Sequence, residues 1–169
     1  VGLLDSVTRD VSNGDVSSPG QCRDFFRRDH GERCFRFCVA GNRGDSYYMS
    51  STTMHLSPGL PLMKSGDLVN WRLVGYAYDT LADNDALTLQ NGRSAYGAGP
   101  WASSLRHHDG TFYVTTFSST SGRTHIYRTT DIEHGPWTEN SFAPALHDHS
   151  LVFDDDGRIY MVYGSGDLR

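Results

Sequence analysis

Residues 145–166 read ALHDHSLVFDDDGRIYMVYGSG and hold the densest group of chemically able side chains in the chain. Asp148 lies between His147 and His149, and Asp154, Asp155 and Asp156 follow in a row. Carboxylates grouped in this way serve as oxygen ligands for a hard cation or as proton donors and acceptors. The triple run does not have the alternating acids, central glycine and distant glutamate of a calcium loop. Asp156-Gly157 instead has the chemistry of a tight hairpin turn, where the backbone needs positive φ. On residue type alone, Asp148 either caps the start of the strand that follows or points toward a ligand. A second group, Cys22, His30, Cys34 and Cys38, offers four ligands for tetrahedral zinc. It is missing the close cysteine pairs of structural zinc sites, so no metal is assigned. RGDS at 43–46 fits turn chemistry. The Gly-Ser-Gly of 164–166 is no dinucleotide fingerprint, because no helix follows it.

The elements that must position these groups are strands. From Asp45 onward, short runs rich in Tyr, Val, Thr, Phe and Ile alternate with Asp-Gly, Gly-Asp and Pro-Gly punctuation, with no sustained helical period. GDSYYMSSTT (44–53), DGTFYVTTFSST (109–120) and DGRIYMVYGSG (156–166) repeat one another. A second unit follows the first two: PLMKSGDLVNWRLV (61–74) parallels THIYRTTDIEHGPWTEN (124–140). The repeating unit is strand, turn, strand, loop, strand, Asp-bearing turn and Trp-bearing strand. The aspartate caps its turn, and Trp71 and Trp137 cover the blade edge. Four antiparallel strands recurring about every 45–65 residues indicate a β-propeller. The chain accounts for about two four-stranded blades and the opening of a third, an all-β partial propeller. DDDG, HHDG and RGDS all fall at the turn between the first two strands of a blade.

Bulk properties narrow the class. The 169 residues carry a net charge of −5, with no apolar run long enough for a membrane span and no visible signal peptide, so the compartment is undefined. Residues 1–44 hold seven arginines against six acids, and residues 45–169 hold eight basic groups against fourteen acids. Neither part has the basic field of a nucleic-acid binder. All three cysteines lie in the first part, so the chain divides into an unassigned Arg/Cys-bearing segment, 1–43, and the propeller part, 44–169.

The motifs YYMSSTTMHLSPGLPLMKSGDLVNW, GPWASSLRHHDGTFYV, DIEHGPW and HDHSLVFDDDGRIYMVYGSG, in this order, resemble glycoside hydrolase family 43 from about Gly44 to Arg169. The resemblance implies a five-bladed propeller acting on arabinose- or xylose-containing polysaccharides, of arabinofuranosidase or xylosidase type, with inversion and without a cofactor. It implies three carboxylates: a general base, a general acid and an aspartate that orients the acid and raises its pKa. DHSLVFD matches the family's Asp-Pro-Ser-Leu-Phe-Phe-Asp, which gives the third role to Asp148 and puts His149 where the proline stands. The base position falls on Phe37, with Glu32 out of register, and the acid belongs to a later blade. Trp101 matches the aromatic that lines the sugar subsite, or else is a core residue between blades. Met54 and His55 match pocket-wall positions, where a histidine also serves as a hydrogen-bonded structural residue. The implied partner is a carbohydrate, with neither nucleic acid nor membrane.

Residues 1–43 do not resemble the family, as expected of a shifted reading frame or a fused stretch. The chain stops directly after a strand-like run and reads as part of a propeller, with open edges that favour self-association. The alternative is a non-catalytic propeller remnant with at most weak sugar binding. A protein-interaction propeller of kelch or WD type does not show its blade signatures here.

Overall fold

In the computed structural model, the described residues are 46–54 and 57–169, together with the backbone of strands β1 (Arg23–Phe26) and β2 (Arg36–Ala40). They form three antiparallel sheets with sequential strand order. The first runs β1-β2-β3-β4-β5, where β3 is Tyr47–Ser50, β4 is Gly59–Ser65 and β5 is Arg72–Tyr78. The second runs β6-β7-β8-β9, comprising Ser104–His108, Thr111–Ser118, Arg123–Thr129 and Thr138–Phe142. The third is the hairpin of β10 (Ser150–Phe153) and β11 (Ile159–Val162). The sequence predicts two four-stranded blades and the start of a third, and the sheets have that form. The difference is β1, an additional strand paired on the β2 side of the first blade.

Turn chemistry fixes these meanders. Asp109 and Gly110 join β6 to β7 with φ of 46° and 75°, the left-handed pair a two-residue hairpin requires. In the β4–β5 turn, Asp67 Oδ1 accepts from the amides of Val69 and Asn70 at 2.9 and 2.7 Å and from Ser65 Oγ at 2.9 Å. These donors hold the Asp67 carboxyl well below the usual carboxylate range, Asn70 contributing most. Asp131 caps the β8–β9 turn in the same way, accepting from the amides of Glu133 and His134 at 3.0 and 3.1 Å. The triple aspartate also behaves as a turn: Asp154 N donates to Arg158 O at 3.0 Å and Gly157 N to Asp154 O at 3.1 Å.

The core lies between the first two blades and includes Tyr48, Leu60, Leu62, Leu105, Phe112, Val114 and Tyr127. Trp137 packs against this core from its rim. The long connection 79–103 adds Leu81, Leu87 and Ala95 to it. Ion pairing then ties the blades together. Glu133, projecting from the turn that Asp131 caps, accepts from Tyr48 Oη at 2.7 Å and pairs with Lys64 at 2.6 Å and Arg72 at 3.2 Å. Lys64 first, and then Tyr48, hold the Glu133 carboxyl at about 2. No helix among the described residues is long and apolar enough to cross a membrane.

Candidate active site

The first strands of successive blades lie side by side, β2 beside β6 and β6 beside β10. Arg106 on β6 donates to Leu151 O at 3.2 Å and to Ser150 Oγ at 2.6 Å, and Ser104 Oγ lies 3.1 Å from Ser150 Oγ. Residues just before β6 and β10 therefore emerge at the same end of the sheets. Trp101 precedes β6 by three residues and Asp148 precedes β10 by two.

One buried ring joins these two approaches. Phe117, near the end of β7, is 1% exposed. Trp101 stacks parallel to it at 6.3 Å between centroids. His147 and His149 meet the same ring at 4.5 and 5.9 Å. The backbone fixes the arrangement as well: Trp101 N donates to Phe117 O at 2.9 Å, and Thr116 Oγ1 donates to Trp101 O at 2.9 Å. The indole Nε1 of Trp101 is buried without a hydrogen-bond partner, a donor whose desolvation is uncompensated.

Asp148 is half-buried, with φ of 49°. Aspartate is among the few non-glycine residues that tolerate this left-handed region. Its neighbours hold it there. Gly164 N donates to His147 O at 2.9 Å, and His149 Nδ1 donates to Leu146 O at 2.8 Å. Burial pushes the His149 imidazole below its ordinary value, against the smaller opposing effects of that bond and of Asp148. A neutral ring that donates from Nδ1 leaves an acceptor at Nε2, and this atom is buried with no partner.

Met54, at φ of 59°, lies on the loop after β3, and its amide donates to Thr52 Oγ1 at 2.9 Å. Thr52 in turn donates to Pro100 O at 2.6 Å, beside Trp101, and Ser50 Oγ meets Ser103 Oγ at 2.8 Å. The structure thus brings the segments of Met54, Trp101 and Asp148 to one mouth. His55 lies outside the described residues, as do Cys22, His30, Cys34 and Glu32. Phe37 is on the backbone of β2, opposite Phe25. Among the described residues no group of three or more His, Cys, Asp or Glu is placed to hold a metal ion.

Sequence reasoning missed Phe117, though a signal was present: where the second blade has Phe117 in VTTFSS, the first has Thr52 in MSSTT. It also missed a relay on the outer strands. Buried His125 joins Ser121 Oγ through Nε2 at 2.9 Å and Glu139 Oε1 through Nδ1 at 2.9 Å. This Ser-His-Glu order has the form of a nucleophile triad, but the neighbouring amides are occupied. Gly122 N donates to Ser118 O and Arg123 N to Ser121 Oγ, so no pair of amides is left to hold an oxyanion. What the relay does is orient Glu139.

Four similarities give this mouth a context. The family model described as Glycosyl hydrolases family 43 matches residues 38–169. The non-reducing end alpha-L-arabinofuranosidase BoGH43B of Bacteroides ovatus is 34% identical over 122 residues, covering 70% of this chain and 22% of that protein. A beta-xylosidase of Formosa agariphila is 34% identical over 117 residues, covering 67% of this chain and 19% of that protein. Among solved structures, a bifunctional GH43-CE protein of Bacteroides eggerthii superposes with a TM-score of 0.72 at 58% identity, over 75% of this chain and 16% of that one. The chain spans about a fifth of the length of the two curated relatives. Its sheets are part of the β-propeller of that family. With the family match running from the middle of β2 through the aromatic mouth to the last residue, the chain belongs to glycosyl hydrolases family 43.

Proposed function

We propose that these residues contribute to an inverting glycosidase of arabinofuranosidase or xylosidase type, acting on arabinose- or xylose-containing glycans, with Asp148 as the carboxylate that orients the general acid and raises its pKa. The observation that carries the reading is the placement of Asp148, in left-handed backbone, between two histidines that share the Phe117 ring with Trp101. An inverting enzyme protonates the leaving oxygen on one side of the sugar and activates water on the other. Asp148 does neither. Its negative charge keeps a neighbouring carboxylic acid protonated near neutral pH by like-charge repulsion. Trp101 supplies an indole face for a sugar ring, and Met54 and His55 belong to the pocket wall. The family position of the general base is Phe37, and no motif-matched position of this chain supplies the acid. The 169-residue polypeptide alone therefore does not turn over substrate. The family match begins at residue 38, so the shifted-frame or fusion reading is confined to residues 1–37; sequencing independent clones across codons 1–45 tests this, and a clean, unbroken frame counts against it.

The deciding experiment follows release of nitrophenol from aryl α-L-arabinofuranoside and β-D-xyloside, with the product anomer read by proton NMR. The isolated chain is expected to be silent. Expressed within the uninterrupted coding sequence around it, the protein is expected to hydrolyse with inversion. There, Asp148→Asn lowers kcat by about 100-fold or more. Removing the like charge lowers the acid's pKa, so the alkaline limb of the pH profile moves to lower pH. Turnover by the isolated chain, retention of configuration, or an unmoved alkaline limb would overturn the assignment. Phe37 at the base position favours a second reading, a non-catalytic propeller that binds sugar weakly. Its signature is a folded full-length protein with no turnover.

A further inference from the structure

Asp148 is the third residue of a four-residue turn, Leu146 to His149, that leads into β10. Its φ of 49° is left-handed, a conformation whose cost the surrounding structure must offset. In the family motif the next residue is proline, which drives the residue before it toward extended backbone. This chain departs from that pattern twice in succession: histidine stands at 149, and Asp148 is left-handed. A device other than a proline ring must therefore hold the carboxylate in place.

The His149 side chain supplies it. Its Nδ1 donates to Leu146 O at 2.8 Å, from the last residue of the turn to the first. Leu146 is itself anchored: its amide donates to Thr124 Oγ1 at 2.9 Å, and that hydroxyl donates to Pro144 O at 2.9 Å. Thr124 lies on β8 and is fully buried. The imidazole also meets Phe117 of β7 edge to face, at 5.9 Å between centroids. His149 thus ties the Asp148 turn to two strands of the second blade.

Packing alone does not account for a histidine here. His149 is 6% exposed, and its Nε2 is buried with no hydrogen-bond partner. An apolar residue of similar size would fill the site without burying that unpaired acceptor. What imidazole adds is the Nδ1 donor. Burial lowers the pKa of the ring, which stays neutral near pH 7 with its proton on the nitrogen that faces Leu146.

We propose that His149 is a positioning residue, whose bond to Leu146 O holds the Asp148 carboxylate where it can act on the general acid. The inference rests on the role proposed above for Asp148, and no ligand need reach the imidazole. The test follows aryl glycoside turnover by the protein expressed within its uninterrupted coding sequence. His149→Leu fills the buried site without a donor. It is expected to lower kcat about tenfold while KM changes less than about twofold. It should also move the alkaline limb of the pH profile to lower pH, as Asp148→Asn does. Combined with Asp148→Asn, it should change kcat less than about twofold further. His149→Asn, whose amide N–H can replace Nδ1–H, is expected to return the limb toward its parent position. A merely structural residue would lower the melting temperature and leave the limb in place. Should His149→Leu fail to fold, the more pliant His149→Met takes its place. The proposal is overturned by a limb that moves in Asp148→Asn but not in His149→Leu, by full additivity of the two substitutions, or by a His149→Asn variant that behaves as His149→Leu. Backbone couplings of Asp148 in the 169-residue chain, read by NMR, decide the matter without turnover. Positive φ is expected in the parent and in His149→Asn and should be lost in His149→Leu; positive φ retained in His149→Leu would also overturn the proposal. An error in the catalytic reading would leave the limb unmoved in Asp148→Asn itself, while these couplings would still respond to residue 149.

Discussion

The hairpins β6–β7 and β10–β11 are built from the same sequence pattern and end in different surroundings. Leu105 and Leu151 correspond in the repeat, and both are buried, at 0% and 5% exposure. On the second strand the correspondence fails. Phe112 is 4% exposed, whereas its counterpart Ile159 is 53% exposed; Val114 is fully buried and its counterpart Met161 only partly. The strands β8 and β9 extend the sheet beyond β7, and the first blade covers its face, whereas among the described residues no strand pairs beyond β11 and the core cluster does not reach its face. A strand-forming pattern therefore sets which residues alternate, and the neighbouring elements decide how much apolar surface that alternation removes from water. The hairpin carrying the candidate catalytic aspartate is attached chiefly through its first strand, by Arg106, the Ser104–Ser150 contact and the stack of Phe153 on His108 at 4.3 Å.

Paired truncation tests this difference most severely. Phe112→Ala is expected to cost about 3–5 kcal/mol by emptying a packed site, and Ile159→Ala less than about 1 kcal/mol. Urea unfolding midpoints measure both, and equal losses would show that β11 is buried to the same degree. A smaller effect is expected at the joint between the first two blades. Glu133→Gln exchanges a carboxylate serving three donors for an amide, at about 1–2 kcal/mol. The Glu133 carboxyl is held at about 2, below its ordinary 4.5, so its contribution is full above about 4.5 and disappears as pH falls toward 2. Thermal melts across that interval should show a steeper acid loss in the parent than in Glu133→Gln, and parallel curves would remove Glu133 from the account. The smallest expected change is local. Arg106→Ala should speed amide exchange in β10–β11 about fivefold while leaving β7 and β8 unchanged, since it removes bonds to Leu151 O and Ser150 Oγ. Equal acceleration in both hairpins would mean that they open as one unit.

From Asp45 onward the sequence carried the strands, the turns and the blade count, because these depend on short-range chemistry; β1 and β2, in the unassigned segment, were not foreseen. Asp-Gly turns, aspartate caps and alternating aromatic and β-branched residues act within a few positions of themselves. The motif around Asp148 was legible for the same reason, and so was the reading of Asp154–Asp156 as a turn. Other features have no local signature. Nothing within DIEHGPW tells that Glu133 reaches Tyr48, 85 residues away in sequence. No spacing rule places Phe117 between Trp101 and the two histidines, or brings Tyr78 beside Tyr127 with unpaired hydroxyls. Those arrangements arise only when one blade packs on the next, since charge pairing and burial depend on which surfaces meet rather than on the residues adjacent in the chain. The sequence by itself determined that the chain folds into propeller sheets and offers one candidate catalytic aspartate. The tertiary structure alone decided which rings surround that aspartate, which carboxylates are held ionised, and which side chain closes the turn that holds it.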